Sequence, residues 1–306
     1  MIGLAELQAF DIANAVVTVW TFKKSGSAGE APIFNGRWIT TDDALDRVLI
    51  EAVETVRAGI TELQPYGLLA QKNEGSALVL EAGATHAPLV VAQAGDPAQN
   101  RKVRTLKQIN NSAFYVVKFT VGAQALYAVR KTDDSWRSRK AAGALSVLYG
   151  DEGLTLDQTP HFNISRHIDF LILADTVFVL QKAHFESLLS HKAEHLADFA
   201  AMMQEGEFVA AFAALNELQT YVGVNKIQLR RASVIRERGY YKDAVFMARL
   251  RQHHAALGLN IVFDAAGRIA PSAETCRDIF QALLDHRLNS RLTEAVYDVE
   301  NTVPVA

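Results

Sequence analysis

The chain has 306 residues, 49% of them hydrophobic and 21% charged, with 31 Lys and Arg against 34 Asp and Glu. That composition excludes a disordered polyelectrolyte, and the single cysteine, Cys276, excludes an internal disulfide framework and fits a reducing cytosol. The opening "MIGLAELQAF" lacks the parts of a secretory leader, and the most apolar run, residues 170–180, is interrupted by Asp175 and is too short to cross a bilayer.

In chain order, "NAVVTVWTFKK" (14–24) predicts a strand, being rich in β-branched and aromatic residues and followed by Gly/Ser punctuation. Residues 40–60 predict an amphipathic helix with an N-cap threonine, acids in its first turn, and Leu45, Val48, Leu49, Ala52, Val53 and Val56 at helical spacing. Residues 66–83 read as a hairpin turned at Asn73–Ser76. Residues 112–120 and 123–131 read as strands, 146–157 as a hairpin, and 167–182 as two apolar strands joined near Ala174–Thr176. Beyond residue 183 the period becomes helical, interrupted by "LNIVFDAAGRIAPS" (259–272), which predicts a short hairpin with Ala266–Gly267 in its turn. The expected fold is therefore α/β (α+β). A strand-rich mixed N-terminal lobe (1–185) precedes a mainly helical C-terminal lobe (186–306) containing a small hairpin.

The net charge of −3 hides a segregated distribution. Residues 101–140 hold ten Lys or Arg against Asp133 and Asp134. Residues 226–254 hold eight, namely Lys226, Arg230, Arg231, Arg236, Arg238, Lys242, Arg249 and Arg251, against Glu237 and Asp243. Such windows create local potentials that recruit polyanions whatever the global sum. The second window splits at "RGYY" into two helices. On the later one Lys242, Arg249 and His253 fall within roughly 20° of one direction. Val245, Phe246, Leu250 and Leu257 are expected to pack, as are Ile227, Val234 and Ile235 on the first helix. Tyr240 and Tyr241 occupy the connection, where a ring can stack on a base or plug the corner. Two helices, a tight turn and a following hairpin are similar in topology to a winged helix-turn-helix. The alternative is a solvated basic face. If nucleic acid binds, guanidinium-to-phosphate contacts without strong sequence choice are expected.

Three further patterns bear on catalysis. "HKAEH" (191–195) fits H-x-x-E-H, in which a helix would set His191 and His195 on one face as zinc ligands beside Glu194, with Glu274 among the acids able to complete the set. Asp169 and Lys182 flank a strand pair as in metal-dependent nucleases, but without the acid-x-lysine spacing. Cys276 opens an apolar pattern with Ile279, Phe280, Leu283 and Leu284, which reads as core. No dinucleotide fingerprint, phosphate loop or nucleophile elbow is present, so no catalytic residue, metal ligand or cofactor is assigned.

The segment "ISRHIDFLILADTVFVLQKAHFESLLSH" carries an apolar-Asp-Phe strand (Ile168, Asp169, Phe170), an apolar strand (Val177–Leu180) and a Phe-Glu pair (Phe185, Glu186) opening a helix. The end adds a hairpin, a helix and Leu288, Ser290, Leu292 and Thr293 in a Leu-x-Ser-x-Leu-Thr stretch. Over residues 160–300 the chain resembles KwaB, the B component of the Kiwa bacterial anti-phage system. The resemblance implies a cytosolic, oligomeric, DNA-binding effector that associates with the multi-span membrane protein KwaA and interferes with phage DNA replication or late transcription. It implies no catalytic centre. The combined expectation is a non-catalytic effector binding duplex DNA with little sequence preference as a homo-oligomer. It would be cytoplasmic, without a span of its own, and recruited to the inner membrane through a partner. A metal-dependent hydrolase, either a nuclease or a zinc peptidase at "HKAEH", is the alternative.

Overall fold

The computed structural model describes residues 1–26, 31–132, 147–150, 153–156, 162–191 and 193–299. The chain divides into two compact units, one comprising Met1–Pro65 and Lys72–His191, the other Tyr66–Gln71 and Lys192–Ala306.

The first unit is built on an eight-stranded mixed sheet. In chain order its strands are β1 (Val16–Ser25), β2 (Ile33–Ile39), β3 (Glu62–Pro65), β4 (Ser76–Glu81), β5 (Phe114–Val121), β6 (Gln124–Lys131), β9 (Phe170–Leu173) and β10 (Thr176–Val179). The spatial order is β2-β1-β5-β6-β9-β10-β4-β3, and every neighbouring pair is antiparallel except β3 with β4. The hairpin β7 (Val147–Gly150) and β8 (Gly153–Leu156) forms separately. Strands β9 and β10 are buried at every position, as is most of β5. Strands covered on both faces lose the alternation of polar and apolar residues and read as continuous apolar runs.

Helix α1 (Leu4–Ala9) and helix α2 (Asp43–Ala58) cover one face, where Leu7, Leu49 and Val53 join Val19, Tyr115, Val117 and Phe119 in the core. The cap of α2 is Asp42, not threonine: its carboxylate accepts from Leu45 N at 2.8 Å, while Thr41 donates its hydroxyl to Asp46. Of Thr40, Thr41 and Asp42, which precede the helix, the one adjoining the first turn takes the free amide of Leu45. On the other face Phe22 stacks on Phe114 at 4.7 Å and Phe34 meets Phe114 edge-on. Helices α3 (Ala87–Gln93), α4 (Leu106–Ile109) and α5 (Lys182–Leu188) complete the unit.

The hairpin expected over 66–83 does not form. Only β4 is a strand there, and it pairs in parallel with β3, Glu62 opposite Ser76 through Pro65 opposite Val79. Tyr66–Gln71 instead belongs to the second unit, where Leu68 and Leu69 pack on the core.

The second unit carries α6 (Ala193–Met202), α7 (Gly206–Ala211), α8 (Asn216–Val222), α9 (Lys226–Arg238), α10 (Ala244–His253), α11 (Cys276–Leu283) and a hairpin of β11 (Arg287–Asn289) with β12 (Val296–Asp298). Met202, Phe208, Leu218, Ile235, Ile279 and Phe280 form its core, and Cys276 is buried among them as expected. Residues 259–272 close on themselves around the expected turn at Ala266–Gly267, with a single antiparallel bridge, Phe263 to Ile269, in place of longer strands. The backbone bonds Asp264 N to Arg268 O and Ala270 N to Val262 O, both at 2.8 Å, flank the bridge, and within the turn the Asp264 carboxylate accepts from Ala266 N, Arg268 N and Arg268 Nε. The regular small hairpin of this unit is β11–β12.

Candidate nucleic-acid interface

The basic stretch forms the two helices its pattern predicts, and each has a defined start. Asn225 caps α9 by accepting from Ile227 N (2.9 Å) and Gln228 N (3.4 Å). Asp243 caps α10 by accepting from Val245 N (2.7 Å) and Phe246 N (3.3 Å). Between them Gly239 ends α9 in the left-handed region, at φ 64°, and donates its N–H to Ile235 O, which is why the split falls at "RGYY". Val234, Ile235 and Leu250 are buried as expected, but Ile227 and Val245 are exposed. Both are second residues of their helices, and their amides are tied to the caps. A side chain in a first turn lies beyond the packed length of the helix, so its angular position does not decide its burial.

The eight cations divide by their partners. Arg236 donates to Glu205 at 2.7 Å and to Asp198 at 2.8 Å, and Lys242 approaches Glu205 at 3.0 Å. Arg238 donates to Leu284 O, and Arg251 to Gly267 O at 3.1 Å. Lys226 is exposed at the first position of α9, Arg230 and Arg231 are half-buried, and Arg249 is exposed on α10. Neither α9 nor α10 has an acidic side chain inside its first turn. Lys226 therefore sits at the positive end of a helix dipole, a placement that costs the isolated helix a few tenths of a kcal/mol.

Glu205 is the hub of the internal group. Tyr241, itself buried, donates its hydroxyl to it at 2.6 Å. That bond first, and the Arg236 bond second, pull the Glu205 carboxyl down to about 2, while burial and then Glu205 push the Tyr241 phenol up. Tyr241 thus plugs the corner. Tyr240 stacks instead on Phe246, centroids 4.8 Å apart and planes 17° from parallel. This ring pair, Arg249, His253, Arg287 and Asn289 line a groove of about 550 Å³ whose rim also carries Asp285. Arg287 is held by Asp298 and by the carbonyls of Leu257 and Gly258, both at 3.1 Å. Arg249 and His253 of the predicted stripe therefore meet in one concavity, whereas Lys242 turns to Glu205.

Beneath α9 lies a residue that sequence reasoning missed. His286 is only 2% exposed, and its Nε2 finds no hydrogen-bond partner among the described residues. Burial, then Arg238 and Arg231, hold its pKa down at about 4, so it is neutral at physiological pH. A lone histidine beside a helix end gives no periodic signal, and only its tertiary neighbours reveal it.

The other candidates are structural where they are described. Asp169, fully buried, accepts from Arg130 Nη1 (2.6 Å), Lys131 N (2.7 Å) and His184 Nδ1 (2.8 Å), clamping β6, β9 and α5 together. Both of its oxygens are already engaged by these donors. His191 lies in a turn before α6 and packs on the Phe185 ring at 5.4 Å, so it does not share a helix face with residue 195. The side chains of 192–196 lie outside the described residues. Among the described residues no group of three or more His, Cys, Asp or Glu could hold a metal ion. Glu274 is exposed. In the earlier basic window Lys118 donates to Gly95 O, Arg101 covers the Trp20 ring and Lys102 the Trp38 ring. Arg137, Arg139 and Lys140 lie outside the described residues.

A family model described as Kiwa protein KwaB-like matches residues 109–293, more than half of the chain. The chain belongs to the KwaB-like family. The match includes β5, the Asp169 clamp, α9, α10 and the groove, and it makes this KwaB-like chain a component of the Kiwa anti-phage defence system. No curated protein and no solved structure matches the chain. Among the described residues no helix is long and apolar enough to cross a membrane.

Proposed function

We propose that this KwaB-like chain is a non-catalytic effector that binds the DNA phosphate backbone through the outer surfaces of α9 and α10. In this reading it works in the cytoplasm as a homo-oligomer and reaches the inner membrane through a membrane-embedded Kiwa partner such as KwaA. The observation that carries it is the groove, where Arg249 and His253 stand beside the Tyr240–Phe246 stack inside the family-matched segment. Lys226, Arg230, Arg231 and Arg251 extend the cationic surface, while Arg236, Arg238 and Lys242 fix its shape through Glu205, Asp198 and Leu284. Forked guanidinium donors suit phosphate, and binding of this kind gains affinity by releasing counterions.

The test is binding of a random-sequence duplex across a salt series, with fragment length checked after incubation with divalent metal. Charge reversal at Arg230, Arg231 and Arg249 is expected to weaken binding uniformly across sequences and to flatten the log–log salt slope by about one unit for each phosphate no longer engaged. A folded triple variant with native affinity would remove this surface from consideration. Shortened DNA would transfer the case to a metal-dependent nuclease.

A further inference from the structure

A second cationic concavity lies in the sheet unit, and of its cations only Lys107 falls in a basic window of the sequence. Strand β1 presents Thr21, Lys23 and Ser25 on one face, and β2 presents Asn35 and Arg37 beside them, since Thr21 pairs with Arg37 and Lys23 with Asn35 in the ladder. Alternation along the strands puts these residues on the face that Val19 carries into the core; Thr21 is still buried there, and Lys23 and Ser25 lie further along, where the strand is exposed. Helix α4 closes the third side with Lys107 and Gln108. Together they line a cavity of about 400 Å³.

Three features mark it as built for an anion. It holds three cations and no carboxylate, and among the described residues none of the three makes an ion pair. Lys23 Nζ instead donates to Lys107 O at 3.0 Å, which draws β1 and α4 together and brings the two lysines into one corner. Ser25 and Asn35 add an exposed hydroxyl and an exposed amide able to complete the coordination of phosphate oxygens, while the buried Thr21 hydroxyl at the floor is bonded to Ser112. Arg37 also stands near the Arg101 guanidinium, which burial first and Arg37 second push below its ordinary range.

We propose that Lys23, Arg37 and Lys107, with Ser25 and Asn35, bind the phosphate end of a small phosphorylated ligand. A concavity of this size encloses one phosphorylated group, whereas the phosphates of a duplex form a convex ridge that needs an extended track. All the cations of the pocket precede residue 109, so it lies outside the family-matched segment, and it belongs to the sheet unit whereas α9 and α10 belong to the other.

The experiment is calorimetric titration of the full chain with pyrophosphate, with a random duplex as a separate arm. Saturable binding at one site per chain is expected, weakened about tenfold or more by Lys107→Glu and by Arg37→Gln. Lys72→Glu changes the net charge equally at an exposed position outside the pocket and should leave pyrophosphate binding unchanged. Lys107 is exposed, so its variant tests the pocket even if the half-buried Arg37 proves necessary for folding. Absence of saturable binding to the native chain, or equal affinity in the Lys107 variant, overturns the proposal. So does a Lys107 variant that loses duplex binding while keeping its pyrophosphate affinity, because the cations would then serve a nucleic-acid track.

Discussion

Asp169 and Glu205 each gather three donors, yet Asp169 sits in the sheet unit with no exposed side-chain surface while Glu205 keeps 21% of its side chain in solvent. Asp169 takes two of its three bonds from β6 and the third from α5, so its charge is enclosed by elements far apart in sequence. Glu205 takes all of its bonds from one short stretch, Arg236 to Lys242, and water can replace any that is broken. The same carboxylate chemistry therefore has different consequences. An enclosed charge is intolerant of losing a partner, and a half-open one is forgiving.

The largest effect should follow from breaking the enclosed cluster. Asp169→Ala leaves the Arg130 guanidinium facing a buried void and is expected to cost about 3–5 kcal/mol in urea unfolding followed by circular dichroism. A loss below about 1 kcal/mol would mean that the clamp is solvated and the contrast with Glu205 is empty. A second test uses acid, because His184 in the first cluster faces a carboxylate while His286 in the helical unit faces arginines. The folded pKa of His286, about 4, lies below its ordinary 6.5, so the unfolded chain takes up the proton first. Stability is full above about pH 6.5, falls as the pH drops toward 4, and is lower by at most about 3 kcal/mol beyond that. His286→Leu should abolish the slope in this window, read as urea midpoint against pH. Glu205, held near 2 against an ordinary 4.5, contributes stability above pH 4.5 that disappears as the pH falls toward 2, a separate and lower window. The smallest effect belongs to Tyr241→Phe, which removes one donor to Glu205 and should cost about 1 kcal/mol, because the partly exposed Glu205 carboxylate can take a water in its place. A cost matching that of Asp169→Ala would show the two hubs to be equivalent.

What the sequence made legible follows the range of the forces involved. The buried strands β5, β9 and β10 and the amphipathic α2 announce themselves because their periodicity is local. The split between α9 and α10 is visible at Gly239, whose left-handed conformation suits glycine. The β3–β4 pairing was not legible. "ELQP" has no strand signature and ends in proline, and a parallel partner is chosen by the sheet rather than by a turn. The site divides in the same way. Charge density identified the α9–α10 stretch, but which of its cations face inward depends on Asp198, Glu205 and Leu284, far from them along the chain. The cavity at Lys23, Arg37 and Lys107 was invisible for a related reason. A strand ladder and a bond spanning 84 residues bring its cations together, and no window of composition covers that distance.

The excursion between β3 and β4 has a consequence for where the chain can be cut. Thr61 and Gly75 close its base, N–H to carbonyl at 2.7 Å, and the residues between them supply Leu68 and Leu69 to the helical core. The helical unit therefore draws on two separate stretches of the chain, the shorter of which falls between two strands of the sheet. A fragment beginning at Lys192 would carry every helix of that unit and still lack two of its packing side chains. The sheet unit, trimmed at His191, would keep its full set of strands while displaying a loop whose leucines have nothing to cover. A single cut after His191 therefore parts the helical core from a segment that packs on it.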